Sequence, residues 1–164
     1  MNETYVECLV KRKTPAYATL LKILTIMLAV CFILVGLIIW PALIIGVVIG
    51  IIAYFVSMNA DIEYEYLYVD KELTIDKVMA KSKRKRVIVL DMERLEILAP
   101  VYSYHLDNYK NRTTKAVDYS TGEVKQPDTR YALFYNGDKK YIIEPTPELV
   151  NALKMIAPRK VFTD

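Results

Sequence analysis

Residues 23–60 read ILTIMLAVCFILVGLIIWPALIIGVVIGIIAYFVSMNA and contain no Asp, Glu, Lys, Arg or His. A bilayer core takes about 20 helical residues. One upright helix over this run would reach about 57 Å at 1.5 Å per residue, too long for a single crossing. The run suits two compact spans, with the break at Gly36-Leu-Ile-Ile-Trp40-Pro41. Proline cannot donate a helical hydrogen bond and biases its predecessor away from the helical region. Trp40 suits a membrane interface. The reading is one span over Tyr17–Ile38 and a second over Pro41–Met58. The short uncharged connection leaves two alternatives, a hairpin that barely reaches the far side and one long kinked helix.

Outward from this run, Lys11, Arg12, Lys13 and Lys22 precede it or flank its start. Lys71, Lys77, Lys81, Lys83, Arg84, Lys85 and Arg86 follow it, and the connection holds no cation. The positive-inside rule therefore predicts a two-pass cell-membrane protein with both termini cytoplasmic. A cleaved signal peptide is not expected, because the run is too long, no A-x-A site follows and a second span comes next. The 164 residues are 54% hydrophobic and 25% charged with formal net charge +3, and the mean hydropathy of +0.19 averages two unlike parts. Cys8 and Cys31 stand too far apart along this layout to pair, which fits a reducing compartment.

Small residues recur in the second span at Ala42, Gly46 and Gly50, and more weakly in the first at Thr25, Ala29 and Gly36. Such faces allow close helix approach. They pack the hairpin against itself, or they serve self-association or docking against another membrane protein. The uncharged run offers no ionisable group for ion transport, and two helices cannot enclose a pathway.

From Asp61 the composition is that of a soluble domain. In DIEYEYLYVD, Ile62, Tyr64, Tyr66 and Tyr68 alternate with Glu63, Glu65, Leu67 and Val69, which is strand periodicity. Glu72–Met79, Arg86–Leu90 and Leu95–Val101 follow as strands. Tyr131–Tyr135 and Lys140–Glu144 form a hairpin around Asn136-Gly137-Asp138, a tight-turn signal. A helix then starts with Thr146 as N-cap, Pro147 at its first position and Glu148 at the positive end of its dipole. Leu149, Leu153 and Ile156 share one face, and Pro158 stops it. In Tyr102–Thr129, weak strands at Thr114–Tyr119 and Glu123–Gln126 would bring the count to seven or eight. Structureless loops of that length are uncommon, which favours the strands; the alternative there is a mobile loop with a binding role.

Leu73-Thr74-Ile75, the basic turn Lys81-Ser82-Lys83-Arg84-Lys85 and Val89-Leu90-Asp91-Met92-Glu93-Arg94-Leu95-Glu96-Ile97 resemble the early strands of bacterial pleckstrin-homology-like (PH-like) domains found beside membrane hairpins. The closing helix Pro147–Ala157 fits the same pattern. With Tyr5-Val6-Glu7-Cys8-Leu9-Val10-Lys11-Arg12-Lys13 in front, the arrangement resembles a family of small membrane proteins in clostridial bacteria. The resemblance implies an α+β membrane protein: a two-helix transmembrane hairpin, then a PH-like antiparallel β-barrel or sandwich with a C-terminal helix. The expected boundaries are a cytoplasmic N-terminal segment at 1–16, the hairpin at 17–60 and the cytoplasmic β domain at 61–164.

Lys81, Lys83, Arg84, Lys85 and Arg86 are the candidate lipid-binding residues. In eukaryotic relatives of this fold, a basic strand–turn–strand binds inositol phosphates, and juxtamembrane cations are drawn to anionic lipid. The plainer reading is a solvated hairpin tip whose charges serve topology. An acidic protein partner is a third. Asp61, Glu63, Glu65, Asp70, Glu72 and Asp76 precede the run and would weaken the lipid reading by pairing across strands. Glu63 and Glu65 read as an exposed strand face. Nucleic acid is not expected, since the domain carries 18 Lys and Arg against 17 Asp and Glu, with no basic stripe.

His105 lies near Ser103, Tyr104 and Asp107, but adjacency in a loop supplies neither a locked base nor an oxyanion hole. No catalytic residue, metal site or cofactor is expected, because one His and two remote Cys cannot supply zinc ligands. Asn111-Arg112-Thr113 matches a glycosylation sequon that a cytoplasmic domain would leave unmodified. Tyr64, Tyr66 and Tyr68 suit a core, whereas Tyr102, Tyr104, Tyr109 and Tyr119 are the candidate partner-facing residues. The function expected is a non-enzymatic, membrane-anchored binding or scaffold module, as an accessory subunit of a membrane complex or through self-association. The rivals are an anionic-lipid or small-molecule sensor using the β domain and, ranked last, an enzyme. Partners expected are the bilayer, anionic head groups and a membrane protein.

Overall fold

The structure, a computed structural model, describes residues 5–111 and 115–163. In chain order its elements are β1 (Val6–Lys11), α1 (Ala16–Gly36), α2 (Trp40–Ala60), β2 (Ile62–Val69), β3 (Glu72–Met79), β4 (Lys83–Asp91), β5 (Leu95–Pro100), β6 (Ala116–Asp118), β7 (Tyr131–Tyr135), β8 (Lys139–Ile143) and α3 (Pro147–Ile156). Short 3-10 segments lie at Met92–Arg94 and Tyr104–Tyr109. They form two compact units. One holds residues 13–62 with 79–83, the other the residues up to Arg12 with 63–78 and 84 onward.

In the helical unit, α1 and α2 have 21 residues each. That is about 32 Å of helix, enough for a hydrocarbon core of about 30 Å. Both are long and apolar enough to cross a membrane, and most of their side chains face outward. The break falls where the Gly36–Pro41 signal places it, with two helices and no single kinked one. The turn closes through Ile38 N–H to the Val35 carbonyl at 3.0 Å. Pro41 sits in the first turn of α2, where no N–H is needed. Small residues let the helices meet: a Cβ on Gly36 would stand 2.5 Å from Leu43 Cα, and one on Gly46 2.9 Å from Ile33 N. A Cβ on Gly50 would meet nothing within 4 Å. The open end is joined by Thr14 Oγ1 donating to the Ala60 carbonyl at 2.9 Å. The β3–β4 turn belongs to this unit, with Ala80 N–H donating to the Asp61 carbonyl at 2.8 Å.

The β unit is an open sandwich of two sheets, ordered β1-β2-β3-β4 and β5-β7-β8-β6. β1 corrects the expected separate segment at 1–16. Val6–Lys11 pairs antiparallel with β2, setting Cys8 opposite Tyr66 and Val10 opposite Tyr64. The cause is period-2 patterning, since Cys8 and Val10 are buried while Glu7, Leu9 and Lys11 are exposed. The hairpin therefore lies within a strand connection, and the β domain does not begin at residue 61. β4 starts at Lys83, so most of the expected basic turn is strand. The turn itself has left-handed Ala80 and Lys81, matching Asp70 and Lys71 in the β2–β3 turn, a backbone that suits the twist of two-residue hairpins.

Tyr66, Tyr68, Leu73, Ile75, Leu90, Leu95, Leu98, Leu133 and Ile143 are fully buried between the sheets, with Leu149 and Leu153 of α3. Each such leucine contributes about 2 kcal/mol of transfer free energy. α3 is capped by Thr146, whose Oγ1 accepts from Leu149 N–H at 3.4 Å. Ile156, expected on the buried face, is 41% exposed, since it lies in the last turn beyond the core. A second cluster, Ile97, Ala99, Leu106, Ala132 and Phe134, is packed by Tyr109 and Phe162. β6 runs parallel to β8, whereas Glu123–Gln126 forms no strand. Thr114, the start of the expected strand, lies outside the described residues.

Candidate functional site

The basic residues divide by position. Lys81 is on the turn held to the Asp61 carbonyl, and Lys83, Arg84, Lys85 and Arg86 lie along β4. Cross-strand pairing then separates the arginines from the lysines. Arg84 Nη2 stands 2.7 Å from Glu65 Oε2 and donates to Glu65 Oε1 at 2.8 Å. Arg86 Nε lies 3.6 Å from Asp76 Oδ1. Lys81, Lys83 and Lys85 have no such acidic partner among the described residues. The run thus keeps three free ammonium groups, and its two guanidinium groups are tied to β2 and β3.

The carboxylates they meet are buried, which corrects the exposed face expected for Glu63 and Glu65. These are 7% and 5% exposed, because the strand lies between β1 and β3 and Arg84 reaches over it. Burial pushes the Glu65 carboxyl up, a hydrogen bond to Glu7 pushes it further, and Arg84 opposes both. Glu7 is held down, first by the hydrogen bond from Tyr5 (O–O 2.7 Å) and then by Glu65. Glu65 is therefore the member of the pair that keeps a proton longer. Among the described residues no group of three His, Cys, Asp or Glu could hold a metal ion.

Residues 121–129 are tied to one carboxylate at the end of β8. Glu144 Oε1 accepts from Thr129 Oγ1 at 2.6 Å and Lys125 Nζ at 3.0 Å, and Oε2 accepts from Thr121 N–H at 3.2 Å. Burial alone would raise its pKa, but the donors Thr121, Thr129 and Lys125 prevail and bring it down to about 2. Tyr66 adds a second tie, donating to the Tyr119 carbonyl at 2.6 Å and accepting from Glu144 N–H at 3.3 Å. Within the segment, Arg130 and Asp128 are bound through Nη2 to Oδ2 at 2.7 Å and Nε to Oδ1 at 2.9 Å. Reading the sequence missed Glu144. The only signal is a glutamate at a strand end followed by Pro145.

The four candidate tyrosines do not form one surface. Tyr102 and Tyr104 are 74% and 68% exposed. Tyr109 packs on Phe134 with centroids 4.9 Å apart, and Tyr119 meets Tyr64 at 5.3 Å and Tyr141 at 5.9 Å. His105 stacks on Phe162 at 3.8 Å, and the Ser103 hydroxyl accepts from the His105 backbone N–H, so these groups form an aromatic cap and a local turn. Arg112 and Thr113 of the sequon lie outside the described residues. Two surface clefts of about 390 and 380 Å³ are lined by Met92, Ile156 and Lys160 and by Pro100, Tyr131 and Pro147, respectively. Of the helix-packing residues, Gly46 lies in the α1–α2 contact, Ala42 is half-buried and Gly50 faces open space.

A family model described as a bacterial PH-like domain (DUF6106) matches residues 2–163. No curated protein and no solved structure matches the chain.

Proposed function

The chain belongs to the bacterial PH-like family, and on that footing we propose that it is a non-enzymatic binding or scaffold module. In this reading α1 and α2 anchor it in the cell membrane as two passes. The β domain works at the cytoplasmic face, as an accessory subunit or through self-association. Lys11, Arg12, Lys13 and Lys22 on one side of the uncharged run, and Lys71 onward on the other, support cytoplasmic termini. The observation that carries the binding reading is the filled core. Tyr66, Tyr68, Leu73 and Ile75 are fully buried where an internal ligand would have to sit. A sensor built around that interior is disfavoured, and recognition falls to the surface. The test is gentle detergent extraction of the full-length protein from native membranes, followed by mass and stoichiometry. A stoichiometric partner or a defined homo-oligomer is expected, and a monomer carrying only lipid would remove the reading.

A second reading is contact of Lys81, Lys83 and Lys85 with anionic head groups. One observation favours it: the turn bearing Lys81 is hydrogen-bonded to the residue that directly follows α2. Each lysine near an anionic leaflet contributes about 1 kcal/mol. Replacing all three by Ala is expected to reduce the phosphatidylglycerol retained in native mass spectrometry. Equal retention would sink it.

A further inference from the structure

Sheet edges carry unpaired N–H and C=O groups and invite another strand unless covered, shortened or defended. In the second sheet the C-terminal segment lies along β5. Leu98 N–H donates to the Lys160 carbonyl and Phe162 N–H to the Leu98 carbonyl, both at 2.8 Å. The opposite edge strand, β6, has three residues. In the first sheet, α3 packs against β1. β4 differs from all three. It has nine residues and a single neighbour, β3; among the described residues no backbone–backbone hydrogen bond leaves its other side, and at its last residue Asp91 N–H donates to the Tyr135 hydroxyl at 3.3 Å.

Successive side chains of a strand alternate between faces, so Lys83, Lys85, Val87 and Val89 follow one another at strand spacing. Val87 and Val89 are 39% and 41% exposed. The lysines alone would read as edge defence. Two exposed valines continuing the row undo that defence, since an apolar open edge is a liability unless it is used. Arg84 and Arg86 are held by Glu65 and Asp76, which leaves the lysines as the cations available to a visitor.

We propose that β4 takes up an extended acidic segment of a partner protein by strand addition. The partner's main chain continues the ladder, its first acidic side chains meet Lys83 and Lys85, and its apolar ones cover Val87 and Val89. A second copy offering its own β4 would bring the same cations, so charge favours an acidic partner. The proposal names a surface and a partner chemistry for the binding role and rests on that reading.

The test uses the full-length protein in a neutral detergent and a fluorescein-labelled nonapeptide of alternating Glu and Val, read by polarisation. Saturable binding is expected. Lys83→Glu with Lys85→Glu should weaken it about tenfold, from two opposed surface pairs. The same peptide with alternate amides N-methylated keeps its charge but loses ladder donors, and should bind at least about tenfold more weakly. Val87→Lys is the second variant, with circular dichroism confirming that each variant is folded. Equal binding of the N-methylated peptide, or indifference to the two lysines, overturns strand addition. So does phosphatidylglycerol retention that depends on these lysines with no peptide binding, which assigns the surface to lipid. An oligomer dissolved by Val87→Lys, again without peptide binding, assigns it to a second copy and overturns the proposal too. Absence of peptide binding while a stoichiometric partner remains on wild type and on the Lys→Glu variant defeats this proposal and leaves the binding role standing.

Discussion

Replacing Glu144 by Gln should unlatch the segment that runs from Tyr119 to Arg130. Glu144 is 11% exposed at its side chain and receives Lys125, Thr129 and the Thr121 N–H. Its pKa falls from the ordinary glutamate value of 4.5 to about 2, so the ionised form is favoured in the fold by on the order of 3 kcal/mol, at 1.36 kcal/mol per unit. Glutamine keeps the shape and one acceptor oxygen, but its amide nitrogen then faces a donor. A loss of about 2–3 kcal/mol at pH 7 is expected, roughly 10 °C in Tm for a domain of this size. Near-ultraviolet circular dichroism of the tyrosines during thermal unfolding in detergent would read it, with hydrogen exchange reporting residues 119–130. Because the folded pKa is depressed, the contribution is complete above the unfolded value near 4.5 and is lost as pH falls through about 2. The gap between wild type and variant should therefore close to a few tenths of a kcal/mol near pH 2. A gap that stays constant from pH 7 to pH 2, or unchanged exchange over 119–130, would refute the reasoning.

Three further outcomes follow from the geometry. Gly46→Ala should destabilise the helical hairpin by about 1–3 kcal/mol, because its Cβ meets backbone. Gly50→Ala, in open space, should be neutral or gain up to about 1 kcal/mol from helix propensity. Helicity during titration from mild detergent into dodecyl sulfate separates the two, and equal effects would contradict the packing. Arg84→Ala should cost about 1–3 kcal/mol by leaving the buried Glu65 unpaired. Glu65 has a raised pKa, so its ionised form is the destabilising one and the loss should grow from pH 5 to pH 8. A pH-independent loss in denaturant midpoints would count against this. Ala80→Gly relieves a left-handed alanine at φ 47° and should stabilise by about 0.5–1 kcal/mol after the entropy of glycine. A lower denaturation midpoint would show that this turn gains nothing from glycine.

The hairpin was legible because a long stretch without charge suits little besides membrane-crossing helices, and Gly36, Trp40 and Pro41 mark its break. The Tyr64–Tyr66–Tyr68 alternation and the Asn136-Gly137 turn were equally plain, since both signals are local. What escaped was non-local. β1 has six residues and finds its partner only beyond both helices, so no neighbouring turn announces it. Glu63 and Glu65 carry the pattern of an exposed face, yet their burial depends on the β1 and β3 registers and on Arg84 of β4. Which cations of the basic run stay free was likewise a question of cross-strand register, and composition alone does not answer it. Glu144 stands among many surface carboxylates until residues 121–129 fold back onto it.

The pairing of β1 with β2 makes the two apolar helices an insertion inside a β-meander, and this imposes an order on biogenesis. β1 is synthesised first but cannot close its ladder until α1 and α2 have both left the ribosome and β2 has followed them. Domains generally fold as units during synthesis, so assembly of the first sheet is deferred to the completion of the hairpin. Once formed, the ladder sets Lys11 opposite Glu63, two residues that flank the helices in the chain. A chain whose β2 failed to reach β1 would leave Val6–Lys11 unpaired and its apolar residues Cys8 and Val10 uncovered.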